Sequence, residues 1–391
     1  MQDTIQKFGR WGKRSFLEMQ MSLAPSSRKK FYNRKLNARE FWHGRTRLRS
    51  YPLFVQVGTN WTCNLHCPFC RREVEPYKEE LKNLPPGRRE ISSIVLDKLV
   101  EILPYAIRFS LTPLGEPLMY SRLEYILEIH RKLGCRNLNM TTNGALLDKY
   151  RSELIVKSQV ESINISLDTV HPDRYRSMRK GAELNQVLDG IKSLQEWKKK
   201  LDSPLPRLIF ASTFMRSNIE DLPGLIELAN ELDVEAITVQ LMDPENPEFE
   251  PEMLWHHIPV TLKVMEESFR LAKEKGVRLD TTIALRNLLS SAKETSPGME
   301  NKLLEMAPDL DTRGKSLVEK CRLPWESLLI DTDGEVRPCC WAGIRFGNLT
   351  SQSFQEVWNS VEAVKTRDLF LKNIIPGGCR NKHCRVEEIV R

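Results

Sequence analysis

The 391 residues, 40% hydrophobic and 28% charged, have the composition of a core-forming globular protein, with room for about two or three domains. No run approaches the ~18 apolar residues of a membrane span, and the opening MQDTIQKFGRWGKRSF has no apolar signal stretch, so a protein of the cytoplasm, free or peripheral at the membrane, is expected. The net charge of +7 is unevenly placed: residues 1–50 hold 13 Lys+Arg against 3 Asp+Glu, +10, and the other 341 residues hold 46 against 49, −3. Nucleic acid is therefore disfavoured as a partner of the body.

Residues 1–50 read as a basic arm. Ile5, Phe8, Gly12, Phe16, Met19 and Leu23 share one helical face, with Lys7, Arg10, Lys13 and Arg14 beside it, until Pro25 ends the pattern. A second basic stretch, RKKFYNRKLNAREFWHGRTRLR, interleaves aromatics. Three readings compete: a helix packed on the body, an arm at an anionic membrane surface, and a polyanion contact.

From residue 51 to 245 short apolar runs alternate with helical patterns. Candidate strands are Leu53–Val57, Arg108–Leu111, Asn137–Thr141, Ser162–Leu167, Leu208–Thr213 and Ala236–Leu241. Between them lie helical segments that include Ser121–Leu133, Gln186–Lys199 and Ile219–Leu232. Such alternation implies a parallel sheet with right-handed crossovers, an α/β fold of the partial (β/α)6 TIM-like barrel type. Residues 246–320 read as a partly helical connector, with a Pro- and Glu-rich start, a helix near Thr261–Lys275 and a break at 296–298. Residues 321–391 form a small α+β domain that opens with the hairpin LLIDTDGEVRP, turned at Asp333-Gly334.

Nine cysteines stand at 63, 67, 70, 135, 321, 339, 340, 379 and 384. Their clustering points to metal ligation rather than a disulfide framework. CNLHCPFC sets Cys63, Cys67 and Cys70 in C-x3-C-x2-C spacing, one ligand short of a closed four-coordinate site. His66 could complete a structural zinc site; otherwise the spacing leaves an iron open to a substrate or cofactor. Cys135 precedes the third strand and reads as a small buried apolar residue.

CNLHCPFC, with Phe69 before its last cysteine, resembles the signature of the radical S-adenosylmethionine (SAM) superfamily. LGEPLM, TTNGALL and SLDTVHPDRYRSMRKG follow in that family's order, and the resemblance covers roughly residues 52–242. It implies that Cys63, Cys67 and Cys70 hold a [4Fe-4S] cluster whose fourth iron chelates SAM. Gly115, Glu116 and Pro117 would face the SAM amino group, with Asn143 in the third-strand element. Ser166 and Asp168 would lie near the ribose, and Arg179 near the methionine carboxylate. Reductive cleavage of SAM would then give a 5′-deoxyadenosyl radical able to abstract hydrogen from an unactivated C–H bond.

The second cysteine group is similar to the SPASM/twitch extension of some of these enzymes, through CRLPW, GEVRPC, Gly347-Asn348-Leu349 and EVWNS. The chain lacks that extension's C-x2-C-x5-C run, which implies one auxiliary [4Fe-4S] cluster held by Cys321, Cys339, Cys379 and Cys384. Cys339 and its neighbour diverge in extended backbone, so Cys340 is a packed thiol, the true ligand, or a catalytic hydrogen-atom donor. The resemblance implies an oxidoreductase that abstracts hydrogen from a small-molecule or carbohydrate-type substrate, with the auxiliary cluster as electron acceptor and a flavodoxin or ferredoxin as reductant. The alternatives are an epimerase, a peptide-modifying maturase (peptide substrate), and, in another class, a zinc protein that binds nucleic acid. The short arm, without a strand pattern, counts against a peptide-recognition domain. Arg71, Arg72, Asp243 and Trp341 are candidate substrate contacts.

Overall fold

The computed structural model describes residues 25–111, 115–133, 137–242, 246–295, 299–306, 321–340 and 342–379. Cys135, Asp243, Trp341, Cys384 and the pattern over residues 5–23 lie outside them.

The six expected strands form in order. They are β1 (Phe54–Val57), β2 (Arg108–Leu111), β3 (Leu138–Thr142), β4 (Ser162–Ile165), β5 (Arg207–Phe214) and β6 (Ala236–Leu241). Each pairs in parallel with the next, in register Val55↔Phe109, Phe109↔Leu138, Met140↔Ile163, Ile163↔Leu208 and Phe210↔Ile237. Every one of these apolar positions is buried, because helices cover the outer face of the sheet and side chains fill the inner one. Local chemistry starts the helices. The Ser92 hydroxyl accepts from the Val95 amide ahead of Ser93–Ile102, and the Asp148 carboxylate accepts from the Arg151 amide ahead of Lys149–Lys157.

The sheet does not stop at six strands. β7 (Arg278–Asp280) adds in parallel to β6 from within the connector. At the opposite edge β8 (Ser327–Ile330) pairs in parallel with β1, and β9 (Glu335–Arg337) and β10 (Gly347–Asn348) continue antiparallel. The result is one ten-stranded sheet in the order β10-β9-β8-β1-β2-β3-β4-β5-β6-β7. The expected hairpin is present, with Gly334 at φ 83° in its turn, but its first strand is also an edge of the barrel. A single buried apolar cluster runs from Phe41 through the barrel to Trp358 and Phe370.

Of the basic arm, the part from Pro25 onward is a packed helix, Pro25–Trp42. Its inner face is polar: Asn33 Nδ2 donates to the Tyr51 and Tyr105 carbonyls (3.0 and 3.1 Å), and Asn37 Nδ2 donates to the Trp325 carbonyl at 2.7 Å. Phe41 meets Trp325 edge-on at 5.5 Å. For these residues the packed-helix reading is the observed one.

Candidate active site

The motif residues leave the sheet at the C-terminal ends of the parallel strands, where such folds place their chemistry. Six residues after β1, Cys63 begins the cysteine loop; Gly115 to Pro117 follow β2; Asn143 and Gly144 follow β3; Ser166 and Asp168 follow β4.

Two of these loops touch through backbone. The Gly115 amide donates to the Asn60 carbonyl (3.1 Å) and the Glu116 amide to the Thr62 carbonyl (2.7 Å), which docks the β2 loop on the approach to Cys63. Asn60 Nδ2 fastens the junction by donating to the Thr62 and Glu116 carbonyls, both at 3.0 Å. Glycine at 115 is required sterically: an added Cβ would overlap the Thr62 carbonyl oxygen and stand 2.7 Å from that of Asn60.

Glu116 is buried, and its carboxylate is spoken for. Oε1 accepts from Thr142 Oγ1 (2.6 Å) and from the Leu118 amide (3.1 Å), and Oε2 accepts from the Asn143 amide (2.8 Å). Burial pushes its pKa up, against the pull of those donors. The side chain thus ties the β2 loop to the β3 loop, and the fixed Asn143 directs Nδ2 to Asn64 Oδ1 (2.9 Å) and toward Cys63 Sγ (3.7 Å).

Asp168 and Arg179 form the second tie. Asp168 is fully buried; Oδ2 accepts from Arg179 Nε at 2.6 Å, and Oδ1 accepts from the Thr213 amide at 2.8 Å. Arg179 then turns Nη1 toward Cys67 Sγ at 3.8 Å and sets its guanidinium 5.3 Å from the Phe69 ring. Burial works to lower the Arg179 pKa, but Asp168 and Cys67 prevail and raise it, so the cation is permanent. Ser166 stands half-buried at the end of β4, its amide donating to the Thr142 carbonyl at 2.9 Å.

Cys63, Cys67 and Cys70 are unbridged thiols, and burial raises the pKa of all three. Burial that disfavours free thiolates, with amide and guanidinium donors aimed at the sulfurs, fits a positively charged metal centre that would deprotonate them on binding. Among the described residues no three Cys, His, Asp or Glu side chains converge as ligands of a single ion, and His66 is exposed with Nδ1 2.9 Å from Glu73 Oε1.

Residues the sequence reading passed over complete the mouth. Met178, Met215, Met242 and Met253 make a separate buried cluster with Phe69, Phe249 and Trp255 against it. Phe249 meets Phe69 edge-on at 6.4 Å. Met215 and Met242 each directly follow a strand. Their position one residue past β5 and β6 was the available signal.

In the C-terminal segment Cys321 and Cys339 are half-buried against the main core, Cys379 is buried, and Cys340 is exposed. The Gly343 amide donates to the Gly378 carbonyl (2.8 Å), which brings the Cys379 loop beside the chain that follows Cys339.

A parallel α/β barrel with unbridged thiols at its mouth and a second cysteine group flanking the strands added at its edge defines a protein built around metal-bound cofactors. Family profiles give the class its name. One described as Radical SAM superfamily matches residues 62–203, and one described as Iron-sulfur cluster-binding domain, SPASM, matches 321–385. The chain belongs to the radical SAM superfamily and carries a SPASM-type iron–sulfur domain; its cofactors are a SAM-cleaving [4Fe-4S] cluster, SAM and auxiliary iron–sulfur. That membership overturns the alternative of a zinc protein that binds nucleic acid.

Among curated relatives, a probable GTP 3',8-cyclase of Methanococcus maripaludis (strain C6) is 23% identical over 283 residues, 71% of this chain and 81% of that protein. The GTP 3',8-cyclase of Listeria monocytogenes is 29% identical over 151 residues, 37% of this chain and 41% of its own. In fold, the chain is similar to Streptococcus suis SuiB (TM-score 0.60, 16% identity, 92% of this chain and 78% of SuiB). It is also similar to anSMEcpe with bound AdoMet (TM-score 0.57, 16% identity, 86% of this chain and 96% of the other). No helix among the described residues is long and apolar enough to cross a membrane.

Proposed function

We propose that Cys63, Cys67 and Cys70 hold the SAM-binding [4Fe-4S] cluster, and that Cys321, Cys339, Cys379 and Cys384 hold a single auxiliary [4Fe-4S] cluster. When bound, the first cluster and SAM supply a one-electron reductive cleavage whose product removes hydrogen from an unactivated C–H bond. The residues of the chain do the rest. Arg179, held by Asp168, keeps a permanent cation beside Cys67. Glu116 fixes the Asn143 loop against the cysteine segment. The four methionines with Phe69 and Phe249 form an apolar wall that keeps water from a reactive centre.

The overall reaction we propose is two-electron oxidation of a small-molecule or carbohydrate-type substrate: a flavodoxin or ferredoxin would supply the electron that cleaves SAM, the substrate would lose a hydrogen atom to the product radical, and its second electron would pass to the auxiliary cluster as a proton is released. The observation that carries the reading is the convergence on the cysteine loop of donors from the β3 and β4 loops, Asn143 at Cys63 and Arg179 at Cys67. Half-buried Cys339 beside exposed Cys340 supports Cys339 as the ligand. It also favours dehydrogenation over an epimerisation that would need Cys340 as an enclosed hydrogen donor. A second reading comes from the relatives of 23–29% identity: cyclisation of GTP, the reaction in their names.

Anaerobic purification is expected to yield about eight irons per chain, as two four-iron clusters require. With SAM and dithionite the protein should form 5′-deoxyadenosine, and Cys63→Ala should not. Carbohydrates, peptides and GTP are then compared for stimulated SAM cleavage. A carbohydrate product oxidised by two electrons supports the first reading, stimulation by GTP alone the second, and solvent deuterium at the reacting carbon epimerisation. Stoichiometric zinc without iron would refute the assignment.

A further inference from the structure

The Pro25–Trp42 helix has a second, solvent-exposed face. Arg28, Tyr32, Lys35, Arg39 and Trp42 recur at spacings of four, three, four and three, so they form one stripe along the helix. All five are exposed, Tyr32 by 51% and Trp42 by 70%. The stripe lies opposite the buried Asn33, Asn37, Glu40 and Phe41. Residues 25–49 contain nine Lys and Arg and one carboxylate, Glu40. That carboxylate is turned inward, accepting from the Arg49 and Ser50 amides at 2.8 and 3.1 Å. The basic surface continues past the helix through exposed Arg45, Arg47 and Arg49.

Its place in the fold narrows the partner. Asn33 and Asn37 attach the helix to Tyr51, Tyr105 and Trp325, which precede β1, β2 and β8. The stripe therefore sits at the N-terminal ends of these strands, and Cys63 at the C-terminal end of β1. A four-residue strand alone separates the two by about 13 Å, so an electron donor or substrate bound here would face away from the cysteines. Two amphipathic rings standing in solvent among cations match the headgroup layer of a bilayer, where indole and phenol rings settle and anionic lipids attract Lys and Arg.

We propose that this stripe docks the protein on an anionic membrane surface, with the barrel mouth turned away from the lipid. The test is co-sedimentation of the full chain with vesicles of phosphatidylcholine, with and without one part in three of phosphatidylserine. Binding is expected only to the anionic vesicles, and it should weaken as salt is raised. The R28Q/K35Q/R39Q variant, whose changes are all on exposed side chains, should keep its helical spectrum and melting temperature and lose about a hundredfold in affinity. Trp42→Ala should weaken binding even where salt has screened the cations. Equal binding to neutral vesicles, unchanged binding by the folded triple variant, or binding to an oligonucleotide but not to vesicles would overturn the proposal.

Discussion

Replacing Gly115 by alanine tests whether the junction of the β2 loop with the cysteine segment is as tight as the geometry requires. The added Cβ would overlap the Thr62 carbonyl oxygen and stand 2.7 Å from the Asn60 carbonyl oxygen and 2.8 Å from the Thr62 amide nitrogen. All three obstacles are backbone atoms, so no rotamer change relieves the overlap. The Asn60 side chain, bonded to Thr62 Oγ1 at 2.8 Å and to the Thr62 and Glu116 carbonyls, resists displacement as well. The two loops must part, and the Gly115–Asn60 and Glu116–Thr62 backbone bonds are lost. At about 1 kcal/mol net for each bond and about 1–3 kcal/mol for overpacking, the change costs about 3–5 kcal/mol. The shift reaches Cys63, the residue after Thr62. Iron per chain after anaerobic reconstitution should fall from about eight toward four, with the auxiliary cluster spared, and the melting temperature should drop. Gly276→Ala is the control: its φ is +70° but nothing lies within 4 Å of the added Cβ, so about 1 kcal/mol of strain should appear without iron loss. Full iron content and unchanged melting in Gly115→Ala would refute the reasoning.

Two further predictions rest on buried ionisable groups. His130 is buried, and burial first, with a smaller push from Lys30, lowers its pKa to about 4 from the model-compound value of 6.5, although the Gln159 carbonyl pulls the other way. Between these values the unfolded chain binds the proton and the folded one does not. Stability is therefore lost as pH falls from about 6.5 to about 4, by about 3 kcal/mol at most. Urea unfolding of His130→Gln against the parent should show this slope reduced, and parallel curves would contradict it. Arg179→Lys keeps the charge but cannot hold Asp168 and reach Cys67 together as the guanidinium does. The reduction potential of the SAM-binding cluster, measured by EPR-monitored titration, should become more negative as a donor to the ligand sulfur is lost. An unchanged potential would place Arg179 outside the cluster's environment.

What the sequence disclosed follows from how local each signal is. Strands such as Ala236–Leu241, a β-branched run bounded by helical periodicity, were legible to the residue. Helix Leu184–Lys200 showed its period through Val187, Ile191 and Leu194. β7 was not legible, because Arg278–Asp280 is three residues long, with no buried side chain and two charged ends, and is recruited only by the edge of β6. The hairpin of β8 and β9 was readable from Asp333-Gly334, but its parallel pairing with β1 joins residues 54 and 327 and leaves no local trace. At the site, the cysteine spacing and the Gly-Glu-Pro loop announced themselves. The hydrogen-bonding roles of Glu116 and Asp168 did not: both carboxylates are buried and tie one loop of the site to another. Burial is a tertiary property, and neither composition nor spacing reports it.

The segment ahead of the first family match bears on the site through packing. Arg367 is fully buried in the C-terminal domain, donating from Nε to the Pro324 carbonyl at 2.8 Å and from Nη1 to the Thr46 carbonyl at 2.9 Å, with Trp358 4.5 Å from its guanidinium. Burial lowers its pKa to about 9, against the attraction of Glu40. Trp325 Nε1 donates to the Arg45 carbonyl and Trp358 Nε1 to the Ser50 carbonyl, both at 2.8 Å. Residues 45–50 thus lie as mortar between β1 and the cysteine domain, and β8 locks that domain to β1 by a parallel register. The route from Cys63 to Cys321 therefore runs through packed backbone rather than a linker. If one electron is to pass between the two cysteine groups in every turnover, their separation must be constant, and the β1–β8 pairing together with the contacts of residues 45–50 holds the two frameworks to each other.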